Sequence, residues 1–124
     1  MGLRNIYVFL SAFVLAVLFF AQSAMAIEPG HITPEDGKEL IQQKTDLLIL
    51  DVRNPNEYVT EHYPNALNIP VNELETRLSE VPADKPVLVY CGRGMRSERA
   101  YEILKEKRPD IKDIYHINGA PIFD

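Results

Sequence analysis

Four short strand-like segments, separated by polar, helix-compatible stretches, constrain this chain more than any other feature. They are Leu47-Leu48-Ile49-Leu50, Ala66-Leu67-Asn68-Ile69, Val87-Leu88-Val89-Tyr90 and Ile114-Tyr115-His116-Ile117. A continuous apolar run of four residues is too short for a buried helix and suits a strand covered on both faces. Helix signals fall before the first segment and between the others. Thr33-Pro34-Glu35-Asp36 offers a cap, a proline for the first turn and two acids near the positive helix end. Leu40 and Ile41 supply the buried side of that helix. Asn54-Pro55 opens a short helix through about Glu61, and Asn72 to Leu78 reads as another, with Leu74 and Leu78 four apart. Ser97 to Lys107 is the best helix: Ala100, Ile103 and Leu104 share a face, and Lys105, Lys107 and Arg108 gather at its negative end. Strands alternating with helices predict an α/β fold, a small and mostly parallel sheet with helices on both faces.

Such sheets bind ligands at the carboxyl ends of their strands. Asp51 ends one predicted strand and Cys91 ends another, so the architecture puts both on one rim. Cys91 is the sole cysteine. It is followed by Gly92-Arg93-Gly94-Met95-Arg96-Ser97 and then the helix. Glycines at 92 and 94 permit backbone angles at which successive N–H groups converge, and the helix start adds partial positive charge. Arg93 and Arg96 add full charge. Each of these favours thiolate over thiol. The competing reading, a buried inert cysteine, fits poorly with glycine and arginine as neighbours.

The first 26 residues have the layout of a secretory signal peptide. Arg4 and the amino terminus form a positive region, Ile6 to Ala21 is apolar apart from Ser11, and Ala24-Met25-Ala26 places small residues where a signal peptidase reads. Cleavage after Ala26 leaves 27–124, enough for one domain. An uncleaved membrane anchor is the alternative. The expected location is the periplasm or the exterior, with membrane association only if the segment stays attached. Setting Arg4 aside, 12 Lys+Arg face 18 Asp+Glu, a formal net charge of −6. That balance argues against nucleic acid as partner and requires a local positive site for any anionic substrate.

In order along the chain, Asp51-Val52-Arg53, Glu57-Tyr58, His62, Ala66, Asn68-Ile69-Pro70 and Cys91-Gly92-Arg93-Gly94-Met95-Arg96-Ser97 resemble the rhodanese-homology domain. With the export signal and small size, the chain is similar to short periplasmic sulfurtransferases. The resemblance implies a single rhodanese-like domain over 27–124. It implies that Cys91 is the nucleophile that carries a persulfide, with Gly92, Arg93, Gly94, Met95 and Arg96 forming the substrate-binding loop. Asp51, Arg53 and Ser97 then have supporting roles. The donor is a small anion such as thiosulfate and the acceptor a thiol or cyanide. No metal or organic cofactor is required, and a monomer is expected. The alternative is a persulfide carrier or redox-sensing module that serves a protein partner without turning over small acceptors.

The chain departs from the family at Glu61-His62-Tyr63-Pro64-Asn65-Ala66, at Asn118-Gly119 in place of a glycine pair, and in the short stretch after Gly119, where a closing helix is expected to be missing or vestigial. Cysteine phosphatases usually place arginine six positions after the cysteine. Here Arg96 follows Cys91 by five, a loop better suited to one persulfide sulfur than to a tetrahedral phosphate. Asp51 reads as a structural carboxylate capping the next turn. Arg53 and Glu57, four apart, read as a scaffold pair. His31, His62 and His116 read as ordinary surface or turn residues, without metal-ligand spacing.

Overall fold

The computed structural model describes residues 26–124. Most of the expected signal peptide lies outside the described residues. Five strands form one wholly parallel sheet: β1 (Gly30–Ile32), β2 (Leu48–Asp51), β3 (Leu67–Asn68), β4 (Val87–Tyr90) and β5 (Ile114–Ile117). Their order across the sheet is β1-β5-β4-β2-β3. β4 is central, so Cys91 leaves the most enclosed strand of the domain. Val87 to Tyr90 are all inaccessible to solvent.

Among the described residues, three α-helices complete the layers: α1 (Pro34–Gln43), α2 (Pro55–Thr60) and α3 (Met95–Lys107). Strand alternation sorts the core into two clusters. Leu50, Val52, Val87, Val89 and Cys91 face α3 residues Ala100, Ile103 and Leu104. Ile49, Leu88, Tyr90, Tyr115 and Ile117 face the opposite side with Leu40 of α1. The expected parallel sheet with helices on both faces is therefore present. Thr33 caps α1, its Oγ1 accepting from the Asp36 amide at 3.1 Å. α1 packs so tightly on β5 that a Cβ at Gly37 would lie 2.5 Å from Ile117 Cδ1.

Three elements differ from expectation. β1 is an edge strand of three residues, too short and too polar (Gly30-His31-Ile32) to show in hydrophobic patterning. Val71–Thr76 is a 3₁₀ helix, not an α-helix. α3 begins two residues earlier than expected, at Met95, because Gly94 turns the chain with φ +107°. After Gly119 no helix forms. Instead the Ile122 amide donates to Tyr63 Oη at 3.0 Å, and the Phe123 ring lies against Tyr63 and Tyr90. No helix among the described residues is long and apolar enough to cross a membrane.

At the carboxyl rim, Asp51 has no solvent exposure. It accepts from the Arg53 amide at 2.9 Å, from Arg53 Nη2 at 2.7 Å and from Tyr90 Oη at 2.6 Å. Arg53 Nη2 also donates to the Glu61 carbonyl, and Asn68 Nδ2 donates to the carbonyls of Asp51 and Arg53. Burial and the Asp51 carboxylate together push the Tyr90 phenol far above its usual range. Asp51→Ala leaves a buried guanidinium and a buried phenol without their acceptor, so a loss of about 3–5 kcal/mol is expected. Tyr90→Phe removes one charge-assisted bond and should cost about 1.5–3 kcal/mol. Urea denaturation of both variants checks the ranking.

Candidate active site

Cys91 continues the alternation of β4, which turns its side chain toward α3 and makes the residue 1% exposed. The sulfur nevertheless meets polar hydrogens. The Gly94 amide donates to Sγ at 3.1 Å. Burial pushes the thiol up, but the Ser97 hydroxyl and the amides of Ser97, Arg93 and Gly94 outweigh it and hold Cys91 below its ordinary value.

Gly94 makes this cradle possible. Its φ of +107° is a backbone conformation that L side chains resist, and a Cβ there would lie 2.9 Å from the Gly119 nitrogen. Its carbonyl is held as well, accepting from Ser97 Oγ at 3.1 Å. Ser97 is inaccessible to solvent and braces the loop through its bond to the Gly94 carbonyl. Met95 is 84% exposed and stands on the rim, beneath nothing. Arg93 is also exposed and forms no ion pair among the described residues.

Arg96 has a partner that the sequence reading did not assign. Its guanidinium forms a two-point pair with Glu57 of α2, Nη1 to Oε1 at 2.7 Å and Nη2 to Oε2 at 3.1 Å. This pair lies over Gly92, where a Cβ would meet Arg96 Nη2 at 3.1 Å and Glu57 Oε2 at 3.7 Å. Hydrogen bonds from Arg96 hold the Glu57 carboxyl below the usual carboxylate range. The expected Arg53–Glu57 pair does not form, since Arg53 turns back to Asp51 and frees Glu57 for Arg96. Thiolate stabilisation comes first from amides and a hydroxyl, with Arg96 at one remove. Glu57 is thus a site residue that spacing alone misassigned, because a four-residue offset on a helix suggested a nearer partner.

Of the histidines, only His116 departs from the surface-or-turn reading. His116 is buried at 1% exposure and bonded to both Ser97 and His31. His62 stacks on Tyr58 with ring centres 3.8 Å apart and closes the turn after α2. Their isolation in sequence concealed contacts that strand register creates.

The fold and site define a class: a parallel α/β domain with one acidified cysteine on an amide-lined loop between its central strand and a helix. Residues 33–120 match the family model of the rhodanese-like domain, and the chain belongs to that sulfurtransferase family. An uncharacterised protein of Bacillus subtilis, YqhL, is 39% identical over 72 residues, 58% of this chain and 56% of that protein. The chain therefore spans little more than half of that relative. The thiosulfate sulfurtransferase GlpE of Coxiella burnetii is 36% identical over 82 residues, 66% of this chain and 74% of the relative. Among solved structures, a rhodanese-like domain protein of Staphylococcus aureus shares the fold with a TM-score of 0.64 at 24% identity, covering 76% of this chain and 87% of that one.

Gly94→Ala tests the cradle. A non-glycine residue in the left-handed region costs about 1–2 kcal/mol, and the contact with Gly119 adds to it. The loop is expected to shift, the Gly94 amide to leave Sγ, and the Cys91 thiol to titrate higher. Alkylation rate against pH, which rises as the thiolate forms and then levels, should show its midpoint displaced upward.

Proposed function

We propose that this protein is a thiosulfate sulfurtransferase that works through a persulfide on Cys91. The observation that carries the reading is a lone thiol held acidic by loop amides at the end of the central strand. Thiolate is the nucleophile, so a lowered thiol pKa supplies it near neutral pH. Cys91 Sγ attacks the outer sulfur of thiosulfate. The S–S bond of the donor breaks and sulfite leaves with the bonding electrons. The persulfide then occupies the amide cradle, whose N–H groups suit an anionic terminal sulfur. Cyanide or a thiolate attacks that sulfur, takes it away and regenerates the Cys91 thiolate. Arg93, exposed and without an acidic partner among the described residues, attracts the dianion to the rim of an otherwise acidic domain. The resemblance to GlpE supports thiosulfate as donor. The positive, apolar and Ala-Met-Ala sequence of the first 26 residues supports export with the signal removed.

The Arg96–Glu57 pair favours a second reading, a sulfur carrier for a protein partner, because a carboxylate already occupies one of the two arginines expected to bind the donor. Turnover separates the two. The enzyme reading expects thiocyanate formation from thiosulfate and cyanide with ping-pong kinetics, abolished in Cys91→Ala. Intact mass should show one added sulfur after exposure to thiosulfate alone. A persulfide without appreciable turnover would instead make the protein a carrier, and neither product would overturn both readings.

Glu57 competes with the donor for Arg96, and its charge repels a dianion. Glu57→Gln is expected to lower the KM for thiosulfate several-fold, about 1 kcal/mol on the scale of a screened charge pair, with the KM for the acceptor little changed. Steady-state kinetics with each substrate varied in turn checks this.

A further inference from the structure

A buried imidazole that the transfer steps leave idle stands behind the sulfur-binding loop. Along β5, Tyr115 and Ile117 face the α1 side of the sheet, so His116 points to the α3 side, the side of Cys91. Strand register places it there. His116 is opposite Val89 of β4, two residues before the cysteine, and opposite His31 of β1. Its Nε2 lies 2.8 Å from Ser97 Oγ and 3.2 Å from the Gly94 carbonyl oxygen. Its Nδ1 lies 2.8 Å from Nδ1 of His31. Gly94 is the residue whose amide donates to Cys91 Sγ.

The hydrogens along this path have one consistent arrangement. The Gly94 carbonyl can only accept. It receives the Ser97 hydroxyl at 3.1 Å. A hydroxyl has one hydrogen, so Ser97 Oγ must then accept from His116 Nε2. The reverse order, with Ser97 donating to a bare Nε2, would set a ring lone pair against the Gly94 carbonyl at 3.2 Å, two acceptors with no hydrogen between them. His116 is therefore protonated on Nε2. Burial holds its pKa below the ordinary value and favours a neutral ring, which leaves Nδ1 bare to accept from the Nδ1–H of His31. Donors thus run one way, from His31 to His116 to Ser97 to the Gly94 carbonyl.

We propose that His116 is a positioning residue for sulfur transfer, holding the Gly94 carbonyl so that the Gly94 amide stays aimed at the Cys91 sulfur. The inference rests on the reading of Cys91 as nucleophile. The cradle requires φ +107° at position 94, which glycine adopts at little cost, yet glycine is also the residue least able to hold its own angles. The restraint must come from outside the residue. Three donors meet the Gly94 carbonyl: the Ser97 hydroxyl, the Glu98 amide at 3.0 Å as the first bond of α3, and His116 Nε2. Ser97 and Glu98 belong to the helix that continues the loop and move with it. Of the three, only His116 belongs to the sheet, so it ties the loop to the strands that carry the cysteine. An amide fixed in advance stabilises charge without reorganising, first on the thiolate and then on the persulfide. His31 acts one step further out, by keeping the His116 proton on Nε2.

Three full-chain proteins test this: the wild type, His116→Gln, whose amide can offer an N–H where Nε2 stood, and His116→Leu, which fills the space without a donor. The single-turnover rate of persulfide formation at saturating thiosulfate is expected to fall about 10- to 100-fold in His116→Leu. It should return to within a few-fold of wild type in His116→Gln, with the half-saturating thiosulfate concentration little changed in both. In proton–nitrogen NMR spectra the Gly94 amide proton should move upfield in His116→Leu, reporting a lost hydrogen bond to sulfur, and stay in place in His116→Gln. The wild type supplies an independent measurement, since imidazole nitrogen shifts should show His116 protonated on Nε2 and bare on Nδ1. A wild-type rate in His116→Leu would overturn the proposal, as would equal losses in both variants or a His116 protonated on Nδ1 alone. Should His116→Leu fail to fold, the wild-type tautomer and the Gly94 amide of His116→Gln still decide the matter, a displaced amide counting against the clamp. No sulfur transfer by the wild type, with the expected tautomer and amide shifts, would sink the enzyme reading and leave the clamp standing.

Discussion

The buried Asp51 carboxylate is the interaction on which the rim of this domain depends. It binds Arg53 and Tyr90, and Arg53 reaches the carbonyl that follows α2. One acid thereby ties β2, β4 and the loop after α2. Tyr90 is the residue before Cys91, so the network also sets where the nucleophile leaves the sheet. Removing a charge from water is costly unless every lone pair and proton finds a partner. Here no buried side-chain polar atom among the described residues lacks one. The phenyl ring of Phe123 lies over the Arg53 guanidinium at 5.3 Å, so the irregular stretch after Gly119 shields that charge.

The sulfur site depends on a balance. Cys91 belongs to the apolar cluster under α3, where burial disfavours a thiolate. Three amides and one hydroxyl reverse that preference, and all four come from the six residues after the cysteine. Amides fixed by backbone geometry need no reorganisation when charge appears, which is why a glycine in the left-handed region matters more here than a nearby arginine. The guanidinium of Arg96 is held by Glu57 instead, which lowers the charge the loop offers to a donor.

Much of this was legible in the sequence. Leu47 to Leu50 and Val87 to Tyr90 announced strands because their apolar runs are short and continuous, and Thr33-Pro34 and Asn54-Pro55 marked helix starts through local chemistry. The Cys91 loop was legible because its requirements are local: glycine for unusual angles, then a helix. β1 was not, since a three-residue edge strand carries no periodic signal. The partners of Arg53, Glu57 and Arg96 were not either. Glu57 and Arg96 are 39 residues apart, and sequence proximity favoured a pairing that the burial of Asp51 overrides.

The order of short apolar runs and caps determined by itself a parallel α/β domain with its cysteine on the carboxyl rim, because strand and helix preferences and tight turns act over a few residues. Only the tertiary structure decided which charges pair, how far the sulfur is buried, and that His31 and His116 meet above Ser97. Those outcomes depend on register between strands 85 residues apart in sequence and on competition for buried partners, which no local pattern encodes.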